Sequence, residues 1–512
     1  MSVGIEGSGP SQADLSAAVT QALGLCQVRG LIGEARYRVL SSQFQSEPHG
    51  DTKQSSDMYQ ATVYDYTRGR TILVNGVPFD PTTVSVSEAN TEPFTNADEL
   101  LEAGRIAGAQ TSEVVRSNMP PLAVREFPDG TSHRILNIAI TSANSTRAVS
   151  VNMNNRTVEH QLSHSGEPLL TCDAPPPAGG SSGSRGIPGS ANIVITQSGK
   201  ILWTFKAIRP SASSGTTGSG IELRNVKYKG KTVLYQAHVP TLNVEYEEQG
   251  TGCGPHYRDW QYEEWRLQCD GQDIAPGFRL CKSPAKTILD SGIDGGNFMG
   301  VAVYIEGQEV VLKAQMIAGW YRYVSEWRFH VDGTLRPRFG FGAVQSANMC
   351  VCHVHHHHAY WRLDFDIVSP GNNLVREYNK PPIIDDSNYH DKIYEIRRLK
   401  DSSHQRHWEI SNTITGNSYS LTPGPNDGTS DSFGVGDLWV LRYHAGEIDD
   451  GIPRLLGTSE AATKARIDNF LNGELVKDKD VVIWYAAHFK HDHAHGGGGS
   501  HVVGPDIKPL KW

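Results

Sequence analysis

The chain has 512 residues, with 47 basic and 56 acidic side chains and a formal net charge of −9. No basic run long enough to grip nucleic acid occurs, and no stretch approaches the roughly twenty consecutive apolar residues of a membrane-spanning helix. With 52 glycines, 27 prolines and 38% hydrophobic residues, turns must be plentiful, which favours a mainly β protein of about two to four domains over a helical one.

The opening MSVGIEGSGPSQADLS has no charged start followed by an apolar stretch, so no signal peptide is expected. A cytoplasmic setting is the default, or a secreted one if the sequence is a mature form. Seven cysteines, an odd number, leave at least one unpaired. Residues 1 to 30 read as a polar leader and a short helix, SQADLSAAVTQALGL. MYQATVYDYTRGRTILVNGVPFDP alternates in the strand manner, with Arg-Gly and Asn-Gly as turn signals. NADELLEAGRIAGAQTSEVVRSN has apolar residues at helical spacing and acids early. These elements make a first small α+β domain over residues 1–118.

Two further strands, HRILNIAITSA and TRAVSVNMNNRTVEH, fall in a second small α+β domain over 119–172. DAPPPAGGSSGSRGIPGSAN is rich in Pro, Gly and Ser and marks a linker over 173–194. From 195 to 512 strand signals are dense, from KILWTFKAI to KDVVIWYAAHF, with turns at short intervals, the pattern of a large β-sandwich. One helix is expected at SEAATKARIDNFLN, and no repeat of fixed period occurs.

Two histidine clusters carry most of the chemistry. In Cys350-Val-Cys-His-Val-His-His-His-His358 a strand turns His355 and His357 to one face, with His353, and His356 and His358 to the other. Two imidazoles on one strand can grip a metal, and copper(II) favours nitrogen donors with an open position. A purification tag is the bland reading of four consecutive histidines, but the run leads straight into a strand rather than sitting at a terminus. Zinc, with Cys350 and Cys352 as soft ligands, is another reading. The second cluster, DVVIWYAAHFKHDHAHGGGGSHVVGPDIKPLKW, holds His488, His491, His493, His495 and His501. Its GGGGS looks like an engineered linker, yet apolar sequence resumes after it, so it reads as a native Gly-rich loop.

Together these segments resemble the copper amine oxidase family. That family has a His-x-His pair followed by Arg-x-Asp-x-Asp-Ile, and here His355, His357, Arg362, Asp364, Asp366 and Ile367 fit in register. The family's third copper histidine follows an Asp-Val-Val-x-Trp strand, and Asp480-Val-Val-Ile-Trp484 puts His491 at that point. Lys508-Pro509 fits the closing strand, and IELRNVKYKGKTVLYQAHVPTLNVEY is similar to early catalytic-domain strands. The resemblance covers most of the chain and is weakest in its N-terminal third. It implies copper held by His355, His357 and His491, a homodimer, and a peripheral calcium at Asp364, Asp366 and Asp480. Solvated edge acids are the plain alternative for those three. It also implies a Cys269–Cys281 disulfide, with Cys253 as a rival partner.

The family converts one tyrosine to topaquinone, which condenses with a primary amine while an aspartate base takes a proton. Oxygen then reoxidises the cofactor, giving peroxide and ammonia. The precursor tyrosine lies in Asn-Tyr-Asp or Asn-Tyr-Glu. Here AGWYRYVSEWRFHVDGT puts Tyr321 at that position, with Trp320 and Arg322 departing from the motif. Arg322 would bring a positive charge beside the quinone. PHYRDWQYEEW puts Glu263 at the base position, with Asp259 as the alternative, and Tyr246 matches a tyrosine that touches the quinone. Surface loop residues are the plain reading of all three. The resemblance implies an oxygen-dependent copper oxidase of a small-molecule amine. A copper-centred oxidase or oxygenase without the quinone, acting on a non-amine, and a non-catalytic copper-binding homologue are the alternatives.

Overall fold

The computed structural model describes the chain apart from residues 10, 46–47, 50–53, 56–57, 90–91, 94, 127–131, 143–145, 165–173, 179, 181, 184, 248–255, 346–352 and 492–500. Strands make up 51% of it and helices 10%, so the fold is mainly β as expected. Two compact units are present. One comprises Met1–Ser8, Thr171–Pro177 and Gly189–Trp512, and the other Gly9–Leu170 with Ala178–Pro188. Among the described residues no single helix is long and apolar enough to cross a membrane.

The smaller unit holds two four-stranded sheets. Helix Gln12–Leu23 is opened by a Ser11–Asp14 capping box, and its Leu15, Ala18, Val19 and Ala22 bury against Tyr59, Val63, Ile72 and Val74 of the first sheet. Helix Ala97–Ile106 starts at an Asn96 cap and lays Ala103 among Leu136, Ile138, Val149 and Val151 of the second. The helical reading of residues beyond 106 is corrected here. Gly108 sits at φ +71, where glycine is at ease, and Val114–Glu126 is a strand that runs through position 118.

The larger unit is two packed sheets. The first orders Ser2–Ser8, Ser190–Gln197, Lys200–Ile208, Glu222–Tyr228, Lys231–Tyr246, His355–Val368, Val481–His491, Leu438–Arg442 and Ile396–Arg398. The polar leader is therefore partly a strand, antiparallel to Ser190–Gln197 in the register Ser2↔Thr196 to Ser8↔Ser190. The second sheet contains the run Glu309–Ala318, Tyr321–His330 and Leu335–Ala343. Aromatic rings fill the space between the layers. Phe205 stacks on Phe329 at 4.1 Å, and Phe339 meets Trp361 edge-on at 6.4 Å. Each such pair contributes about 0.5–1.5 kcal/mol beyond its buried area. Trp203 and Trp327 are fully buried yet satisfied, since their Nε1–H groups donate to the His330 and Ile221 carbonyls.

Cys269 and Cys281 are disulfide-bonded, and Cys253 lies outside the described residues. The helix expected at 459–472 is instead two single turns, Glu460–Thr463 and Ile467–Phe470. Lys464 turns extended between them, and Asp468 is taken up by the Trp439 indole N–H.

Candidate active site

Three adjacent strands set the site. His355 lies opposite Tyr246 on one neighbour and opposite His491 on the other, and His357 lies opposite Val244 and Phe489. Residues directly opposite share a face, so His355, His357, His491 and Tyr246 all look toward the second sheet. There the hairpin Ala318-Gly319-Trp320-Tyr321 turns at Gly319, whose φ of +59 suits the first corner of a two-residue turn. Tyr321 and Tyr323 then point inward together.

Ring centroids are 4.8 Å apart for His355 and His357 and 4.6 Å for His355 and His491. His355 Nδ1–H donates to the His353 carbonyl at 2.7 Å, which leaves Nε2 as the lone-pair nitrogen. His355 Nε2 faces His491 Nδ1 at 3.2 Å. His353 thus contributes its backbone. The Tyr323 hydroxyl donates to Asp259 Oδ2 at 2.5 Å and accepts a longer bond from His357 Nδ1 at 3.4 Å, turning His357 Nε2 the other way. Phe341 and Phe489 stack against the His357 ring at 4.1 and 5.3 Å. His355 and His357 are therefore presented from one strand with their orientations set by partners behind them, as metal-ligating histidines require, and His491 faces them from the neighbouring strand.

Tyr321 lies against this group, its ring centroid 5.3 Å from His355 and 5.1 Å from His357. Its hydroxyl bonds that of Tyr246, which also accepts from the Trp320 indole N–H at 3.1 Å. Burial pushes both phenols well above their ordinary range. Trp320 fits because it occupies the hairpin corner, where its bulk lies edge-on to Tyr321 at 5.9 Å. The Arg322 charge lies beside the Tyr321 backbone, where its Nη1 donates to the Tyr321 carbonyl at 3.0 Å, and not beside the ring. Alternation turns Arg322 away, and its guanidinium makes a two-pronged buried pair with Asp294 at 2.7 and 2.8 Å beneath the Trp265 ring.

Asp259 is buried and its carboxyl is raised to about 6, first by burial, against the opposing Tyr323 hydrogen bond and Arg454 charge. Its field reaches Tyr246, Tyr321 and Tyr323. Glu263 is half-buried, and its backbone carbonyl accepts from Ile317 N–H. Cys350, Cys352, His493 and His495 lie outside the described residues.

Farther along the same strand, Asp364 and Asp366 meet Asp480, which precedes the neighbouring strand Val481–His491, and each brings one carboxylate oxygen to within 4.8 Å of the others. Seven residues separate His357 from Asp364, which is about 23 Å at 3.3 Å per residue. Arg362 Nη1 lies 3.8 Å from Asp364 and offsets part of the negative charge. Sequence reasoning missed Tyr323. Its spacing of two from Tyr321 on a strand was the available signal.

No protein-family model matches the sequence, and the sequence matches none of the curated proteins. Solved structures share the fold. A copper-containing benzylamine oxidase from Hansenula polymorpha superposes with a TM-score of 0.61 at 12% identity, over 99% of this chain and 97% of that one. The Pichia pastoris lysyl oxidase PPLO gives 0.57 at 10% identity, over 99% and 91%. An Aspergillus nidulans amine oxidase gives 0.51 at 14% identity, over 99% and 89%.

Proposed function

We propose that the chain is a copper-dependent oxidase that uses molecular oxygen, most simply for oxidative deamination of a primary amine through a topaquinone formed from Tyr321. The observation that carries this reading is the Tyr321 ring packed within 5.3 Å of His355 and His357, beside His491. The donor set fits the metal. Two nitrogens bound to one ion at about 2.0–2.1 Å each lie about 3 Å apart, and His355 Nε2 and His491 Nδ1 are already 3.2 Å apart. When bound, copper would supply one-electron redox chemistry and Lewis acidity next to the Tyr321 ring.

The chain's own groups divide the remaining work. Tyr246, braced by Trp320, fixes the Tyr321 hydroxyl. Phe341 and Phe489 cover the His357 ring on the side of the second sheet and of its own neighbour strand. Asp259, at about 6, is ionised at neutral pH yet still basic enough to take a proton from a bound substrate. Its tie to the tyrosines favours it over Glu263 as the base. The three aspartates would hold a calcium ion or another hard cation, and the chain would act as a homodimer on a small-molecule substrate.

A second reading keeps copper and leaves Tyr321 unmodified, acting directly on a non-amine substrate or only binding the metal. It draws on the packing of Trp320 and Tyr246 against Tyr321, which resists a reoriented ring. Peptide mass mapping of copper-loaded protein, with Tyr321→Phe as control, separates the two. Added oxygen on Tyr321 and a redox-cycling stain are expected. An unmodified Tyr321 in active, copper-loaded protein would overturn the quinone. Replacing His355, His357 or His491 with Ala should lower copper affinity about 100-fold or more, read by equilibrium dialysis.

A further inference from the structure

The strand that carries His355 and His357 also has a second face. Glu245, His256, His356, His358 and His488 share it, since Glu245 lies opposite both His256 and His356, and His358 lies opposite His488. We propose that His358, Asp431 and Glu245 form a second metal site, for a divalent ion of the zinc type, on the sheet face opposite the His355–His357–His491 group.

The hydrogen bonds determine which nitrogen His358 offers. The Gly436 carbonyl can only accept, so His488 Nε2 donates to it at 3.0 Å. In the neutral His488 ring Nδ1 is then an acceptor, and His358 Nδ1–H donates to it at 2.9 Å. His358 Nε2 is left with its lone pair. It is fully buried and makes no hydrogen bond. An imidazole held by a second histidine and a carbonyl behind it, with its other nitrogen bare, is the arrangement that orients a metal ligand.

The carboxylates in front of it are aimed. Asp431 Oδ1 is occupied by the backbone N–H groups of Phe433 and Gly434 at 2.9 and 2.5 Å, which locks the side chain. Its Oδ2 lies 4.0 Å from His358 Nε2 and 3.8 Å from His356 Nδ1. Gly434 lets this loop close over the ring, since a Cβ there would come within 2.1 Å of His358 Nδ1. Glu245 completes the set, with Oε1 anchored by His256 Nε2 at 3.2 Å, and the three ligand atoms lie within 4.8 Å of one another. One ion with donors at about 2.1 Å needs separations of about 3.4 Å, so small side-chain movements close the site. One imidazole and two carboxylates suit zinc better than a thiolate-seeking metal. Asp431 is partly exposed, which leaves the fourth position to water.

The test uses zinc on the full-length, metal-free chain. The His491→Ala variant, which weakens the first site, should bind one zinc by calorimetry. Adding Asp431→Asn or Glu245→Gln should weaken that zinc about tenfold or more, without changing copper binding at the first site when made in the parent chain. Zinc binding indifferent to both substitutions would overturn the proposal. In case His491→Ala fails to fold, anomalous scattering from zinc-soaked crystals of the unsubstituted chain gives the same answer. A peak between His358 Nε2 and Asp431 Oδ2 supports the site, and a peak at the His355 group without one there overturns it.

Discussion

Burial raises the Asp259 carboxyl from 3.8 to about 6, more than the Tyr323 hydroxyl and Arg454 bring it back. The folded chain therefore keeps a proton that the unfolded chain has released, and the stability this gives is full below about pH 4 and is lost as pH rises through about 6. The rise from 3.8 to about 6 corresponds to at most about 3 kcal/mol between acid and neutral pH. Asp259→Asn keeps an acceptor for Tyr323 and removes the buried charge. It should melt above the parent chain at pH 7, with the difference shrinking toward pH 4. A difference constant across that range would refute the buried charge as its cause. If Asp259 is the base, the parent's turnover falls as pH drops below about 6, and the variant loses it at every pH. Arg322 shows the same physics resolved by pairing. Its charge is answered by Asp294, so it sits in the wall as structure.

Strand His355–Val368 exposes a different chemistry on each face, and its register decides which. Slipping it by one residue would exchange His355 and His357 for His356 and His358. The eleven-pair ladder to Val481–His491 and the ladder to Lys231–Tyr246 hold it in place. Lower on the strand, Asp364 and Asp366 lie close to Asp480 with only part of their charge offset by Arg362, so a bound cation would relieve the remaining repulsion. Calcium should raise the melting temperature of the parent chain, and Asp480→Asn should erase that rise while stabilising the calcium-free protein slightly. Melting curves in calcium and in chelator check this. Melting temperatures that ignore calcium in both proteins would count against the cation.

At the scale of the whole molecule, the chain returns to its beginning. Residues Ser2–Ser8 form the edge strand beside Ser190–Gln197, although a whole separate unit intervenes in sequence. Removing residues 1–8 would bare the edge of Ser190–Gln197, with its buried Ile193 and Ile195. An open edge is a template for pairing with another chain. The truncated protein should melt lower and aggregate on light scattering, whereas an unchanged melting temperature would show the edge strand to be dispensable.

Much of this is legible in the sequence because it is local. Period-two alternation gives His355 and His357 one face and Asp364 and Asp366 another, and the Ser11 and Asn96 caps with apolar residues behind them mark two helices. The stop at Gly108 is a local signal too, outweighed in the sequence by apolar spacing that continues past it. What alternation cannot supply is a partner. Whether Arg322 faces a cofactor or an acid depends on Asp294, 28 residues away. The tie between Asp259 and Tyr323 spans 64 residues, and that between His358 and His488 spans 130. Side-chain type and strand period determine which way a group points. Only the packing of distant strands decides what it meets, and hence its charge state and its chemistry.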